Sequence, residues 1–443
     1  MTDTTLQQAA PASKFSRKRA LRVFLWTFVL VVFSVAWFIL LAIGAPARLD
    51  FSSVGAFLMA STPPVLLTLV CWTGVQWSST PRRRSAPATD AKAPTVPSEP
   101  TMPVARFRIG AWSALTPHGK ASETVEGTKA RNKVFKPDKA ILHASGYPAH
   151  AGIIDNLNLE AMGHPADTRL RAPRVMTMLG AILDDLHLQQ PTVAASIEGP
   201  ASVYWLVPPA LIAGDDAHSA IFEGAWKRSV WRAGSYRLHM IPASDACVFT
   251  VLLNLQNEID QSTNSYAMIV AADSLLDREE LARSLALRHV FSHTALQGFV
   301  PSEGGGGVLL FNPEATPDDL WADAAILGPV QTSVRNRDES GLRGVMSGAL
   351  TAAGKSAVDI GIVVSNSNYR TRGGMEVIGV MAHVLAGLDP LEQRISPMEY
   401  AGAFGAATDI VHLALAVELA GEKSVLAISS THGLLAAVVV IPS

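Results

Sequence analysis

Cys247 is the residue of this chain whose type and placement best suit covalent chemistry. It opens an apolar helical pattern (247–259, CVFTVLLNLQNEI), and a helix N-terminus favours the thiolate that attacks acyl carbonyls. The competing reading is a packed, inert thiol, because a free cysteine on an apolar helix more often fills space than reacts. Cys71, the other of the two cysteines, lies in a distant apolar run. Neither a disulfide framework nor a cysteine-based zinc site is therefore expected.

Other chemistries find less support. Gly304, Gly305, Gly306 and Gly307 are consecutive, but no Lys-Ser or Lys-Thr follows them, so the lysine and Mg²⁺ ligand of a phosphate-binding loop are absent. A glycine-rich turn into a strand fits them better. There is no G-x-S-x-G elbow, which removes the common α/β-hydrolase nucleophile. His118, His143, His150 and His164 are scattered through loop-like sequence without the close helical spacing of metal ligands. Asp184 and Asp185 fall on an amphipathic pattern around 174–188 and fit a solvated face. No metal and no cofactor are expected. A formal net charge of -2 and a pI near 6.6 give no footprint for nucleic acid. Trp226, Arg228 and Trp231 are the candidate binding residues, since Trp and Arg are enriched at interface anchors; the alternative is that the tryptophans fill a core.

The elements around Cys247 form an approximate duplication. Its helix leads to an apolar strand at 266–272 (YAMIVAA) and then to 304–311 (GGGGVLLF). A second helix at 405–420 leads to strands at 424–428 and 434–441 (LLAAVVVI). These strands lack alternation, which predicts burial on both faces. Helix, strand, strand, repeated, predicts two similar layered α/β halves. A further helix at 341–353 feeds a strand at 360–364.

Upstream, residues 23–43 and 54–75 are two uncharged apolar runs, the second interrupted by Pro63 and Pro64. Each is long enough for a transmembrane helix. Lys14, Arg17, Lys18, Arg19 and Arg22 precede them and Arg82, Arg83 and Arg84 follow, while the connecting loop carries only Arg48 and Asp50. The positive-inside rule then puts both ends in the cytoplasm. The expected order is a basic tail (1–20), two transmembrane helices (21–77), a Pro/Ser/Ala-rich linker (78–105) and two folded halves (106–320 and 321–443).

The stretches SDACVFTVLLNLQNEI (244–259), MIVAADSL (268–275) and GFVPSEGGGGVLL (298–310) resemble the nucleophile helix, central strand and glycine-rich loop of β-ketoacyl synthases and thiolases. GAFGAA (402–407) and SSTHGLLA (429–436) are similar to the start of the second central helix and the closing turn of that family. The resemblance covers roughly 230–443 and implies a thiolase-like αβαβα layering with Cys247 at the nucleophile position. It departs from the family at the two histidines: Ser365, Asn366, Ser367 and Asn368 stand at the first place, and Gly402 and Ala403 at the second. His412 and His432 are out of register with either. A site without both histidines implies a protein that is not an enzyme.

Residues 107–115 (FRIGAWSAL), 148–157 (PAHAGIIDNL) and 298–307 (GFVPSEGGGG) also make the chain similar to the type VI secretion lipase-adaptor family. That resemblance implies a membrane-tethered, noncatalytic adaptor at the bacterial inner membrane. Its cytoplasmic region would bind a phospholipase effector, and with it a spike protein, and a homodimer is expected by analogy with thiolase-like folds. The alternative function is an acyltransferase of thiolase or ketosynthase type that uses Cys247.

Overall fold

The computed structural model describes residues 107–443 apart from 144–145, 194–200, 213–216, 234, 259–265, 293–294, 317–319, 322–323, 336–338, 368–371 and 432. The tail, the hairpin at 21–77 and the linker expected from the sequence lie outside the described residues. Among the described residues, no helix is long and apolar enough to cross a membrane.

In chain order the strands are β1 (Phe107–Thr116), β2 (Gly119–Lys120), β3 (Lys136–Leu142), β4 (Pro148–Ala151), β5 (Ala201–Val207), β6 (Tyr236–Pro242) and β7 (Tyr266–Ser274). They continue with β8 (Glu303–Phe311), β9 (Ala325–Leu327), β10 (Gln331–Val334), β11 (Ile360–Ser365), β12 (Arg394–Ile395), β13 (Ser424–Thr431) and β14 (Leu434–Ile441). The longer helices are α1 (Ala121–Lys129), α2 (Arg171–Gln189), α3 (Ala217–Arg228), α4 (Val248–Glu258), α5 (Arg278–Ala286), α6 (Ser340–Ala352), α7 (Arg372–Val384) and α8 (Thr408–Leu419).

The main sheet runs β12-β11-β13-β14-β9-β1-β8-β7-β5-β6. Its two arms follow one pattern. β6, β5 and β7 are parallel, and β8 and β1 follow antiparallel. Likewise β12, β11 and β13 are parallel, and β14 and β9 follow antiparallel. The arms meet where β1 pairs with β9. In each arm a helix, α4 or α8, precedes the central strand, β7 or β13, so the duplicated pattern in the sequence corresponds to a repeated topology.

Three of the four apolar cores among the described residues divide the layers. One packs α2 and α3 against β5, β7 and β8; the middle one joins α4 and α8 to strands of both arms; the third packs α6 and α7 against β11, β13 and β14. β7 and β8 are buried along their whole length, as their apolar and small residues without alternation require. Helix α8 is buried from Asp409 to Val417, because a helix that is apolar all round has to be covered on every side. Each fully buried Leu or Val there is worth about 1.5–3 kcal/mol.

The glycines of β8 follow from this sandwich. A Cβ on Gly306 would come within 3.0 Å of the Ser113 carbonyl and 3.2 Å of the Val411 nitrogen, and one on Gly305 within 2.6 Å of Ile182. Helices α2 and α8 therefore close on β8 from opposite faces, and a side chain at these positions would push them apart.

Candidate functional site

Cys247 sits immediately before α4, in the middle core, and is 6% exposed. Its sulfur lies 3.4 Å from the Thr250 hydroxyl. Burial pushes the thiol pKa up, and the Asp409 charge pushes it further. The Thr250 hydroxyl and the backbone of Thr250 and Phe249 pull part of the way back. The helix N-terminus alone therefore does not produce an acidic thiol here.

Asp409, from the first turn of α8, is the centre of a polar cluster. Asn366 Nδ2 donates to Asp409 Oδ1 at 2.8 Å, to Ser429 Oγ at 3.0 Å and to Thr431 Oγ1 at 2.7 Å. Ser429 Oγ donates to Asp409 Oδ1 at 2.8 Å, and Thr431 Oγ1 reaches Oδ2 at 3.2 Å. The Ser430 N–H donates to Asn366 Oδ1 at 2.9 Å, which fixes the amide's orientation. The cluster draws on three places: donors from the end of β11 and the end of β13, and the accepting carboxylate from the start of α8. Only the layered fold brings them together.

His412 lies one turn further along α8 and is 1% exposed. Its Nδ1 contacts the Thr408 carbonyl. Burial lowers its pKa to about 4, against a smaller opposing effect of the Thr408 and Ser365 backbone. The ring is neutral at pH 7. Register within the family pattern places His412 outside the site, whereas the structure sets it beside the Ser365 backbone, at the base of the same loop. The loop itself is held from below: Ser365 Oγ lies 3.0 Å from Ser367 Oγ, while Arg394 Nη1 and Ser396 Oγ donate to the Ser367 carbonyl at 3.1 Å and 2.7 Å.

A second buried cluster supports the start of α8. Arg171 Nε donates to Asp273 Oδ1 at 2.8 Å, and the Ala406 N–H donates to Asp273 Oδ2 at 2.9 Å. Gly405 has φ +54°, and a Cβ there would lie 2.0 Å from Asp273 Oδ2, so glycine suits this turn for conformation and space alike. Burial pushes the Asp273 carboxyl up, and Arg171 with the Ala406 and Ser274 N–H groups holds part of that rise back. Next to it Arg174 pairs with Glu303, whose Oε1 also accepts from the Ile154 N–H at 2.8 Å and whose Oε2 accepts from Ser274 Oγ at 3.2 Å.

The candidate binding residues lie elsewhere. Trp226 and Trp231 are 3% and 2% exposed in the outer core with Phe222 and Tyr236, and Trp231 Nε1 donates to the Leu183 carbonyl at 2.9 Å. Their rings are thus not surface anchors, and of the three only Arg228 is exposed. Phe222, Ala225 and Trp226 form an apolar stripe at helical spacing, a signal for core that the aromatic composition obscured. Asp409 and Asn366 were not singled out as site residues from the sequence. The signal for Asp409 was a carboxylate at the head of a run (IVHLALAV) that is otherwise nearly all apolar.

No protein-family model and no curated protein sequence matches the chain. Solved structures do. The ishigamide ketosynthase/chain length factor superposes with a TM-score of 0.56 at 17% identity, over 76% of this chain and 99% of that one. A β-ketoacyl synthase from Burkholderia phymatum gives 0.55 at 14% identity, over 77% and 100%. The fold is thiolase-like. A ketosynthase from module 6 of the bacillaene synthase of Bacillus subtilis gives 0.56 at 11% identity, over 76% and 72%. At these identities the likeness is one of fold alone.

Two expectations change with this finding. The missing histidines implied a protein that is not an enzyme, but the similar structures are ketosynthases, and the fold is enzyme-like. Register at two loops was too narrow a basis for that exclusion. The adaptor expectation finds no counterpart among these similar structures, whereas the alternative, a thiolase- or ketosynthase-type protein, does.

Proposed function

We propose that the folded region is an acyltransferase of thiolase or ketosynthase type in which Cys247 takes an acyl group as a thioester. The observation that carries this reading is the position of Cys247: it heads a central-layer helix in a thiolase-like fold. In the proposed step Cys247 Sγ attacks the carbonyl carbon of an incoming thioester. The new C–S bond to Cys247 forms as the carrier's C–S bond breaks, and the thiol proton leaves with the carrier thiol. Transfer to an acceptor reverses the step. The raised thiol pKa makes this exchange slow at neutral pH and faster as pH rises, because the thiolate is the nucleophile.

The apolar runs upstream of the fold support tethering to a membrane, with the folded region on its cytoplasmic side. Self-association as a homodimer is the further expectation from analogy with the fold. The test uses the full chain in detergent or bilayer with acetyl-coenzyme A, followed by mass spectrometry of the Cys247 peptide. An acetyl mass on wild type that Cys247→Ala lacks supports the reading. A Cys247 peptide that stays unmodified across pH 7 to roughly 9, where the thiolate of an ordinary cysteine becomes abundant, overturns it.

A further inference from the structure

The fourth apolar core belongs to a small lobe that acyl transfer at Cys247 does not use. It gathers Ile141, Ala149 and Ala151 from the β3–β4 ribbon, Leu281 from α5, and Leu276 and Val290 on either side of that helix. The lobe joins the main sheet where Gly152 bridges to Ser302. Helix α5 ends within it: the Arg288 N–H donates to the Leu285 carbonyl at 3.0 Å and the His289 N–H to the Ser284 carbonyl at 2.9 Å. Arg288 has φ +57° at this closure, a position that glycine usually fills. What arginine adds there is its guanidinium.

That guanidinium lines an open cavity of about 400 Å³, together with His289, Ala295, Gln297, Gly298 and Phe299. The side chains of Arg288, His289 and Gln297 are exposed and have no hydrogen-bond or ion-pair partner among the described residues. A cation with N–H donors beside it suits a phosphate oxygen. The acids of α5 do not compete, because Glu279 and Glu280 lie in its first turn behind the Asp277 cap, at the end away from Arg288. Glu280 moreover pairs with Arg283 at 3.1 Å.

The surroundings of the cavity are apolar and basic. Leu287 and Leu296 adjoin lining residues in the chain and are 59% and 64% exposed, while Leu142 and Tyr147 of the ribbon are 53% and 70% exposed. Lys136 and Lys139 on β3 are exposed, and Asp138 between them pairs with Arg169 at 3.4 Å rather than with either lysine. Exposed leucines and a tyrosine beside unpaired cations make a surface suited to the headgroup layer of a membrane.

We infer that this lobe docks on an anionic bilayer and that the cavity at Arg288 receives the phosphate of a lipid headgroup. Docking of this kind extends the tethering reading and is independent of acyl transfer. The apolar runs at 23–43 and 54–75 would keep the folded region within reach of a membrane, since a flexible coil as long as the linker at 78–105 spans about 30 Å.

The experiment places the full chain in nanodiscs of phosphatidylcholine alone or with phosphatidylglycerol. Phenylglyoxal modification of Arg288 is read by peptide mass spectrometry, with Arg343, exposed on α6, as the internal reference. The expected result is a relative rate about fivefold lower with phosphatidylglycerol, the worth of one cationic side chain at an anionic surface. Replacing the exposed leucines, Leu287→Ser with Leu296→Ser, should weaken that protection. Equal relative rates in the two discs overturn the inference. Equal protection from glycerol phosphate added to phosphatidylcholine discs assigns the cavity to a soluble phosphate and overturns docking. Protection that appears only with an added acyl carrier protein overturns it in favour of an acidic protein.

A chain that stays soluble without detergent and does not enter the discs breaks the tethering reading alone. Cosedimentation of that chain with phosphatidylglycerol vesicles then decides the lobe. Binding that Arg288→Gln weakens about fivefold keeps the headgroup site; binding that this variant leaves unchanged, or none at all, overturns it.

Discussion

The two arms of the sheet repeat one topology but treat buried polar groups in opposite ways. At the end of β7 the first arm places Asp273, pairs it with Arg171, and sets the Arg174–Glu303 pair beside it. At the end of β13 the second arm places Ser429 and Thr431, neutral donors that surround Asp409. Both clusters touch the start of α8, the first through the Ala406 N–H and the second through Asp409 itself. Opposed charges in a dry interior are costly unless matched, and a matched pair is rigid rather than reactive. Around Asp409 the described partners are instead an amide and two hydroxyls. The first arm thus secures the head of α8 with matched charges, and the second holds Asp409 of the same helix with amide and hydroxyl donors.

The largest expected effect tests the supporting role. Arg174→Met strands the Glu303 carboxylate, which is wholly buried, and should cost about 3–5 kcal/mol of stability. Urea unfolding of the folded region within the full chain measures this, and adding Glu303→Gln should restore part of the loss. A cost below about 1 kcal/mol would place the pair among the weak, screened kind.

Next comes the pH dependence of the second arm. The folded pKa of His412 lies below its ordinary value of 6.5, at about 4. Its contribution is therefore complete above pH 6.5 and is lost as pH falls toward 4. The shift of roughly 2.5 units corresponds to about 3 kcal/mol. His412→Gln should flatten the stability profile across that window; an unchanged slope would mean the ring is already charged or relaxes easily.

The third test concerns the sulfur. Asp409→Asn removes the charge that disfavours the thiolate, so the pH midpoint for alkylation of Cys247 should fall. At pH 8 the rate should rise several-fold. The smallest effect is expected from Thr250→Val, which removes a hydroxyl that favours the thiolate and should move the midpoint the other way, slowing alkylation by about threefold or less. Equal signs for these two variants would break the assignment of their roles.

Much of the scaffold was legible in the sequence because its signals are local. The apolar runs at 266–272, 304–311 and 434–441 lie in β7, β8 and β14, since strands covered on both faces cannot alternate. The helix around 174–188 is the greater part of α2. Asp184 and Asp185 on it are only half-buried, one accepting from the Val230 N–H and the other from Lys120. Arg171 and Arg174 lay on the same helix, three residues apart, yet their roles depend on Asp273 and Glu303 far along the chain. The Asp409 cluster was hidden for the same reason: Asn366, Ser429 and Thr431 are ordinary polar residues until β11, β13 and α8 bring them together. The tryptophans failed in another way, because composition marks a binding residue and a core residue alike, and only the side of α3 they occupy decides.

The junction between the arms has a consequence for dissection. β1 pairs with β9, and the Ala406 N–H at the head of α8 is held by a carboxylate from β7. Cutting the chain near 321 and expressing the two pieces apart would leave one fragment with an unclosed edge and the other with an unsecured helix. Mixed together, the fragments have complementary surfaces to find each other by. A split-protein reporter cut there would gain signal only through reassembly.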